Sequence, residues 1–205
     1  PGRESAPARR LLGDDLVDAR VEIHAADVTT PGLAAFARPG SYNERQVRRF
    51  DQLWEINKTR ELSKMDDVGA WLADNLPEPL PPTVVHGDFR LGNSMVARDD
   101  PSRVLAVLVW EMGAIGDPRA DVGYLLATYS EPGGSSNPLG TSPVTALPGF
   151  PSRQELAERY VERSGRDVSR ATVYVALKRL EQKGLAASKL GESTPERGGR
   201  AKRFY

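Results

Sequence analysis

The sequence contains no cysteine and no long apolar run. The absence of cysteine excludes a disulfide framework and thiolate metal sites. No apolar stretch approaches the roughly 18 residues that a membrane-spanning helix needs, and the N-terminal "PGRESAPARR" lacks the apolar core of a signal peptide. We therefore expect a soluble protein of the cytoplasm with no membrane partner.

The chain also lacks a net charge, because 28 Lys and Arg residues balance 28 Asp and Glu residues. A balanced charge favours neither a nucleic acid nor a membrane surface as partner of the chain as a whole. The charges are unevenly distributed along the chain, since basic side chains outnumber acidic ones in residues 170–205. With 205 residues, the chain can bury the core of one domain and carry a small module besides.

The order of predicted elements is typical of an α+β fold. Helical periodicity predicts helices over residues 8–25, 42–58, 62–75, 119–129, 152–164 and 169–183. The fifth of these begins at a Ser152-x-x-Glu155 capping box and stops at Gly165. Between the third and fourth helices, the runs "TVVH", "NSMVA" and "RVLAVLVW" predict adjacent antiparallel strands.

The residues best suited to catalysis or metal binding lie in the stretch "TVVHGDFRLGNSMV", residues 83–96. Phosphoryl transfer from ATP needs a carboxylate that orients and deprotonates the acceptor hydroxyl, and oxygen ligands that hold Mg²⁺ on the phosphates. An Asp followed five residues later by an Asn supplies both, so we predict Asp88 as the catalytic base and Asn93 as a metal ligand. His86 is expected to brace the loop. The alternative is that Asp88 and Asn93 are turn residues that cap loop backbone.

Two stretches, "VVHGDFRLGN" and "VLAVLVWEMGAIGDPRADVGYLLATY", resemble the C-terminal lobe of the aminoglycoside phosphotransferase and choline kinase-like family. The preceding "RPGSYNERQVRRFDQLWEINKTRELSKMDDVGAWLADNLP" is similar to the acyl-CoA dehydrogenase-associated branch, so the resemblance covers residues 8–168. It implies a protein-kinase-like C-terminal lobe, mostly helical with a short strand core, and ATP-dependent phosphorylation of a hydroxyl on a small-molecule acceptor. It implies ATP and Mg²⁺ as cofactors, and hydrogen bonds from Asp121 that brace the catalytic loop.

One departure from the family pattern concerns the metal. Family members usually read "DWE" where this chain has Val109, Trp110 and Glu111. The acid that would hold Mg²⁺ is therefore replaced by a valine, which offers a hard cation no oxygen. Glu111 is the alternative metal ligand, although consecutive strand residues face opposite sides of a sheet.

A second departure concerns the nucleotide. The motif at Asp88 lies much closer to the N-terminus than in complete relatives, which leaves no room for the lobe that would cover ATP. Because this kind of catalysis depends on positioning, we expect an incomplete and inactive kinase-like lobe. The resemblance leaves two partners open: a second copy of this chain, or a separate chain that supplies the N-terminal lobe.

The C-terminal "VSRATVYVALKRLEQKGLAASKLGESTPERGGRAKRFY" resembles the winged-helix region of PadR-like transcriptional regulators. The resemblance divides the chain into a kinase-like lobe over 1–168 and a partial winged helix over 169–205. It implies an alternative function, DNA binding through residues 150–205. The implied DNA contacts are Arg170, Thr172, Lys178, Arg200, Lys202 and Arg203. A charged, solvated tail is the other interpretation. The kinase-like segment is most of the chain, so phosphotransferase is the primary hypothesis.

Overall fold

The structure is a computed structural model that describes residues 5–131 and 143–166, together with the short segments 189–190 and 203–204. Its helices are α1 (Ala6–His24), α2 (Pro31–Ala34), α3 (Tyr42–Asn57), α4 (Ser63–Asp74), α5 (Pro118–Thr128) and α6 (Arg153–Ser164). Its strands are β1 (Thr83–Val85), β2 (Ser94–Val96), β3 (Val104–Val107), β4 (Ala114–Gly116), β5 (Lys189–Leu190) and β6 (Arg203–Phe204). The α+β class is confirmed. None of the described helices is long and apolar enough to cross a bilayer.

Helices α1 and α6 pack against each other. α1 begins where the Ser5 side chain accepts a hydrogen bond from the amide of Ala8. α6 begins at a capping box between Ser152 and Glu155 and ends at Gly165, whose φ of 63° suits a left-handed C-cap. Both boundaries of α6 are confirmed, because the sequence signals for them are local.

The hydrophobic core joins α1, α5 and α6 to the segment that follows β1. Its buried members are Leu12, Leu16, Val17, Phe89, Leu91, Val122, Leu125, Leu126, Tyr129, Phe150, Leu156, Ala157 and Tyr160. Removing apolar surface of this kind from water contributes about 25 cal/mol per Å². Because Phe89 and Leu91 belong to the core, the loop between β1 and β2 is anchored by its own side chains.

Two small antiparallel sheets frame that loop. β1 pairs with β4, with Thr83 opposite Gly116, and β2 pairs with β3, with Ser94 opposite Val107. The loop of residues 86–93 leaves β1 and enters β2, so it crosses from one sheet to the other. The predicted antiparallel pairing is confirmed for β2 and β3. The first run, β1, pairs with β4 and not with β2, and the third strand ends at Val107 and does not reach Trp110 as the run "RVLAVLVW" suggested.

A buried polar network lies inside the core beside this loop. His24 accepts a hydrogen bond at Nδ1 from the Tyr160 hydroxyl at 2.6 Å, and its Nε2 lies 3.3 Å from Oδ2 of Asp121. Since a carboxylate only accepts, the bond to Asp121 requires a hydrogen on Nε2. Burial is the main cause that lowers the pKa of His24 below its usual value. His24 therefore links α1, α5 and α6 as a neutral side chain.

The basic C-terminal segment is described at two places. β5 and β6 are antiparallel, with Lys189 opposite Phe204 and Leu190 opposite Arg203. Both fall within the segment 169–205 that resembles a winged helix, whereas the predicted helix over 169–183 lies outside the described residues. A two-residue ladder is common to hairpins of many folds, so the winged-helix part of the fold class stays a prediction.

The connection from β3 to β4 contains a backbone conformation that valine rarely adopts. Val109 has a φ of 69°, and among the described residues it is the one non-glycine position with a positive φ. The left-handed region costs an ordinary L-residue about 1–2 kcal/mol, and a β-branched residue is a genuine outlier there. Hydrogen bonds hold both neighbours, since the Leu108 amide donates to the Asn93 carbonyl and the Trp110 indole donates to the Val107 carbonyl. The surrounding fold therefore imposes strain on Val109.

Replacing Val109 with Asn should stabilise the protein, because Asn tolerates the left-handed region far better than valine does. We expect the free energy of unfolding in urea to rise by about 1 kcal/mol. Leu105→Asn is a matched control, since Leu105 is an exposed apolar residue of the neighbouring β3 without a positive φ. The control should show no gain. A Val109→Asn protein no more stable than wild type would show that residue 109 is not strained.

The lowered pKa of His24 predicts a pH-dependent stability. As the pH falls below about 6.5, the unfolded state takes up a proton at this histidine while the folded state resists it, so stability decreases. Between pH 7.5 and 5.5 the free energy of unfolding should fall by at most about 1.4 kcal/mol per pH unit. His24→Gln should flatten this dependence. Equal slopes for the two proteins, measured by urea denaturation, would contradict the buried neutral histidine.

Candidate active site

The 86–93 loop begins with a turn that requires glycine. Gly87 has a φ of 84°, and a Cβ built on it would lie 2.8 Å from Cβ of Met112. The loop therefore passes close to the 110–113 turn that leads into β4. Its last three residues, Leu91–Asn93, form a 3₁₀ turn that runs directly into β2.

The loop brings the side chains of Asp88 and Asn93 together. The Asn93 amide Nδ2 donates to Oδ2 of Asp88 at 2.7 Å and to the Asp88 carbonyl at 2.8 Å. Asn93 is buried, whereas the Asp88 side chain remains 24% exposed. A carboxylate held on one side by an amide and open to solvent on the other is available to an external hydroxyl group. The two residues expected to share a site do converge, which a pair of independent turn caps would not require.

Three donors surround the Asp88 carboxylate. Besides Asn93, these are Nε of Arg90 at 3.3 Å and the hydroxyl of Tyr124 on α5. Partial burial alone would raise the pKa of Asp88, but the hydrogen bonds from Tyr124 and Asn93 and the charge of Arg90 outweigh it and lower the pKa. Asp88 is therefore ionised at neutral pH and can accept a hydrogen bond from a substrate hydroxyl.

Asp121 holds the beginning of the loop. Its Oδ2 accepts from the His86 amide at 2.7 Å, and its Oδ1 accepts from the Gly87 amide at 2.8 Å. Oδ2 also contacts Nη1 of Arg20 at 2.5 Å and Nε2 of His24. Burial would raise the pKa of Asp121, but the bond to His24, the Arg20 charge and the two amides lower it. The hydrogen bonds that the family resemblance implied for Asp121 are thus present, and they come from an ionised, fully buried carboxylate.

His86 connects the loop to the segment after β3. Its Nε2 lies 2.8 Å from the Leu108 carbonyl and therefore donates, while Nδ1 accepts from the Asp88 amide at 3.1 Å. Its ring also lies 4.6 Å from the Trp110 ring, measured between centroids. His86 is completely buried, so it supports the loop and is not exposed to a substrate.

The three positions considered as metal ligands, Asn93, Val109 and Glu111, lie in different parts of the structure. Asn93 is beside Asp88, and Val109 is 42% exposed with no oxygen to offer. Glu111 lines a groove of about 460 Å³ between α3 and β4, and neither Asp88 nor Asn93 lines that groove. Within residues 5–131 and 143–166, no three His, Asp or Glu side chains cluster as a metal site would require.

Sequence reasoning missed three residues of this site: Arg20, Arg90 and Tyr124. A signal was available for Arg20, because Leu12, Leu16, Arg20 and His24 follow one another at four-residue spacing and share the buried face of α1. Tyr124 carried no such signal, since 36 positions separate it from Asp88 and a tyrosine in a helix usually packs. His24 is buried and hydrogen-bonded to Asp121.

The residues implied for DNA binding are not part of this site. Arg170, Thr172, Lys178, Arg200 and Lys202 lie outside the described residues, and Arg203 is described only as a backbone member of β6. DNA binding therefore stays a prediction.

Comparison with known proteins gives the reaction class. A model of the phosphotransferase enzyme family matches residues 1–174. The chain is 35% identical over 165 residues to acyl-CoA dehydrogenase family member 10 of Mus musculus, covering 78% of this chain and 15% of that protein. It is 32% identical over 161 residues to acyl-CoA dehydrogenase family member 11 of Gallus gallus, covering 77% and 20%. The chain thus spans a fifth or less of the length of these two relatives.

Solved structures show the same relationship. A Ralstonia eutropha protein assigned as an aminoglycoside phosphotransferase superposes with a TM-score of 0.70 at 29% identity, covering 82% of this chain and 51% of that chain. The macrolide 2'-phosphotransferase of Brachybacterium faecium superposes with a TM-score of 0.54 at 17% identity, covering 89% and 54%, which shows the shared fold alone. By the match over residues 1–174 and the relative that is 35% identical, this chain belongs to the phosphotransferase enzyme family.

Proposed function

We propose that this chain is the catalytic-base lobe of an ATP-dependent O-phosphotransferase, with Asp88 as the base. The observation that carries the proposal is the Asp88 carboxylate, which is partly exposed, ionised and fixed 2.7 Å from the Asn93 amide. Membership of the phosphotransferase family supports the reaction class. The assignment of the similar Ralstonia protein as an aminoglycoside phosphotransferase supports a small molecule with a free hydroxyl as acceptor.

Asp88 has the chemistry that the acceptor side of the reaction needs. A carboxylate within hydrogen-bond reach of the acceptor hydroxyl aligns its oxygen with the γ-phosphorus and takes its proton. The new bond joins the acceptor oxygen to that phosphorus, the bond to the β-phosphate oxygen breaks, and ADP leaves. Because the pKa of Asp88 is lowered, it is a weak base in the ground state, so its first contribution is orientation of the hydroxyl.

The metal side of the reaction does not fit the residues present. Mg²⁺ takes oxygen ligands in near-octahedral geometry and is usually held by one or two carboxylates besides the phosphates. Asn93 offers one amide oxygen, Val109 offers none, and Glu111 lies in the groove beside α3. We therefore assign no step to a metal, and we expect phosphoryl transfer by the wild-type chain to be very weak.

The remaining parts of the proposal concern organisation. We propose that the chain divides into a kinase-like lobe over 1–168 and a separate segment over 169–205, although the family match continues to residue 174. Asp88, Asn93 and Asp121 all lie in one chain, so a second copy or a separate lobe is not needed to assemble the catalytic loop. Such a partner would supply the groups that cover the nucleotide.

Val109→Asp provides the test, because it places a carboxylate where the family carries one. With labelled ATP and a panel of hydroxylated acceptors, Val109→Asp should increase phosphorylated product by about tenfold or more, which corresponds to about 1.4 kcal/mol or more of activation free energy. Adding Asp88→Asn should return product to background. Val109→Gly is the matched control, since it relieves the backbone strain without supplying an oxygen, and it should behave as wild type.

Two results would contradict the proposal. The first is product formation by Val109→Asp that is unaffected by Asp88→Asn, because Asp88 would then have no part in the reaction. The second is a Val109→Asp protein that is folded by circular dichroism yet no more active than Val109→Gly with any acceptor, including when the part of the similar Ralstonia protein that this chain does not cover is added in trans.

A further inference from the structure

Arg20 reaches the 86–93 loop from inside the core by two separate contacts. The first runs through Asp121: Nη1 of Arg20 lies 2.5 Å from Oδ2, the same oxygen that accepts the His86 amide at 2.7 Å. The other oxygen of this carboxylate accepts the Gly87 amide. Arg20 thereby fixes the orientation of the carboxylate that holds the two residues preceding Asp88.

The second contact is with the residue that follows Asp88. The guanidinium carbon of Arg20 lies 3.5 Å from the centroid of the Phe89 ring, and Phe89 is completely buried. An arginine over an aromatic face is attracted by the ring quadrupole, most strongly where water is excluded. Arg20 thus contacts Phe89 directly and residues 86–87 through Asp121, on either side of Asp88.

Keeping a charge at this position is costly. Arg20 is 1% exposed, and burial lowers its pKa to about 10 against the opposing effect of Asp121. Its Nε and Nη2 have no hydrogen-bond partner among the described residues. Well-packed apolar side chains often stabilise a core as well as a buried ion pair does, so packing alone gives no reason for an arginine here. What the guanidinium provides is a rigid, directional contact with two groups at once.

We propose that Arg20 is a positioning residue for Asp88. It clamps the loop between Asp121 and Phe89, and so sets the direction in which the Asp88 carboxylate points. Its importance for catalysis rests on the function proposed above, but the clamp itself is a property of the folded chain. His24 is the natural comparison, because it also lies on α1 and reaches Asp121, yet only Arg20 contacts Phe89.

The clamp is tested by amide hydrogen exchange in the full chain. Arg20→Met keeps the length and apolar stem of the side chain but removes its charge and its plane. We expect exchange at the amides of His86, Gly87 and Phe89 to accelerate about tenfold more than exchange at the α5 amides of Leu125 and Leu126, which report global opening. Leu12→Ala is the matched control: it removes a buried side chain of α1 that cannot bond to Asp121, and it should accelerate both groups of amides alike.

Two further variants separate a positioning role from a general loss of stability. Arg20→Lys keeps the charge near Asp121 without the plane that lies over Phe89, and it should give intermediate exchange rates. His24→Gln should affect His86 and Gly87 more than Phe89. If loop exchange in Arg20→Met follows global opening as it does in Leu12→Ala, Arg20 is a structural residue and the proposal is wrong.

A measurement on the wild-type protein covers the case in which Arg20→Met does not fold. Bound at Asp121 and held over Phe89, the Arg20 guanidinium should rotate slowly and give separate Nη proton resonances, shifted by the ring current of Phe89. A single averaged signal at the position of free arginine would overturn the clamp.

In the Val109→Asp background, Arg20→Lys should lower kcat several-fold with little change in KM for the acceptor. If Val109→Asp shows no transfer at all, the function proposed above fails, while the exchange results still decide the clamp.

Discussion

One buried carboxylate determines the geometry of the candidate site. Asp121 accepts hydrogen bonds from the amides of His86 and Gly87, and its charge is balanced by Arg20 inside the core. Burying the Asp121 carboxylate without a cationic partner would be very costly. Each of the two amides, if buried without an acceptor, would cost about 1–3 kcal/mol of folding stability. The three helices that supply Asp121, Arg20 and the Tyr160–His24 bridge are therefore bound to the two residues that precede Asp88.

The arrangement of Asp88 and Asn93 does not depend on residue 109. Asp88 and Asn93 are arranged by local hydrogen bonds and by Phe89 and Leu91 in the core, none of which involves residue 109. Val109 instead occupies a left-handed conformation that suits Asp, Asn or Gly. Valine is poorly suited to this conformation, and its side chain offers no oxygen to a cation. The Asp88–Asn93 pair is therefore formed within the fold, whereas residue 109 supplies no ligand oxygen.

Much of the fold could be predicted from the sequence where the signals are local. The capping box at Ser152, the C-cap at Gly165 and the antiparallel β2–β3 pair follow from neighbouring residues, and the five-residue spacing of Asp88 and Asn93 predicted their meeting. The pairing of β1 with β4 was not predicted, because it joins segments about 30 residues apart. The positive φ of Val109 could not be predicted, because the segment is also held by contacts that are distant in sequence, such as the hydrogen bond from the Leu108 amide to the Asn93 carbonyl. Glu111 was judged as a strand residue, but β3 ends four positions earlier, at Val107, so strand alternation does not apply to it. Arg20 was not predicted, although its four-residue spacing from Leu16 and His24 places it on the buried stripe of α1.

The central claim is that an ionised Asp121 inside the core holds the catalytic loop, and the most direct test is its own titration. Carbon-13 resonances of the side-chain carboxyl groups, followed from neutral to acidic pH, give the pKa of each aspartate. We predict that Asp121 titrates below the usual range, that its protonation coincides with shifts of the His86 and Gly87 amides, and that Asp88 also titrates low. An Asp121 that titrates at or above the ordinary value of about 3.9, or amides that do not respond to its protonation, would contradict the account.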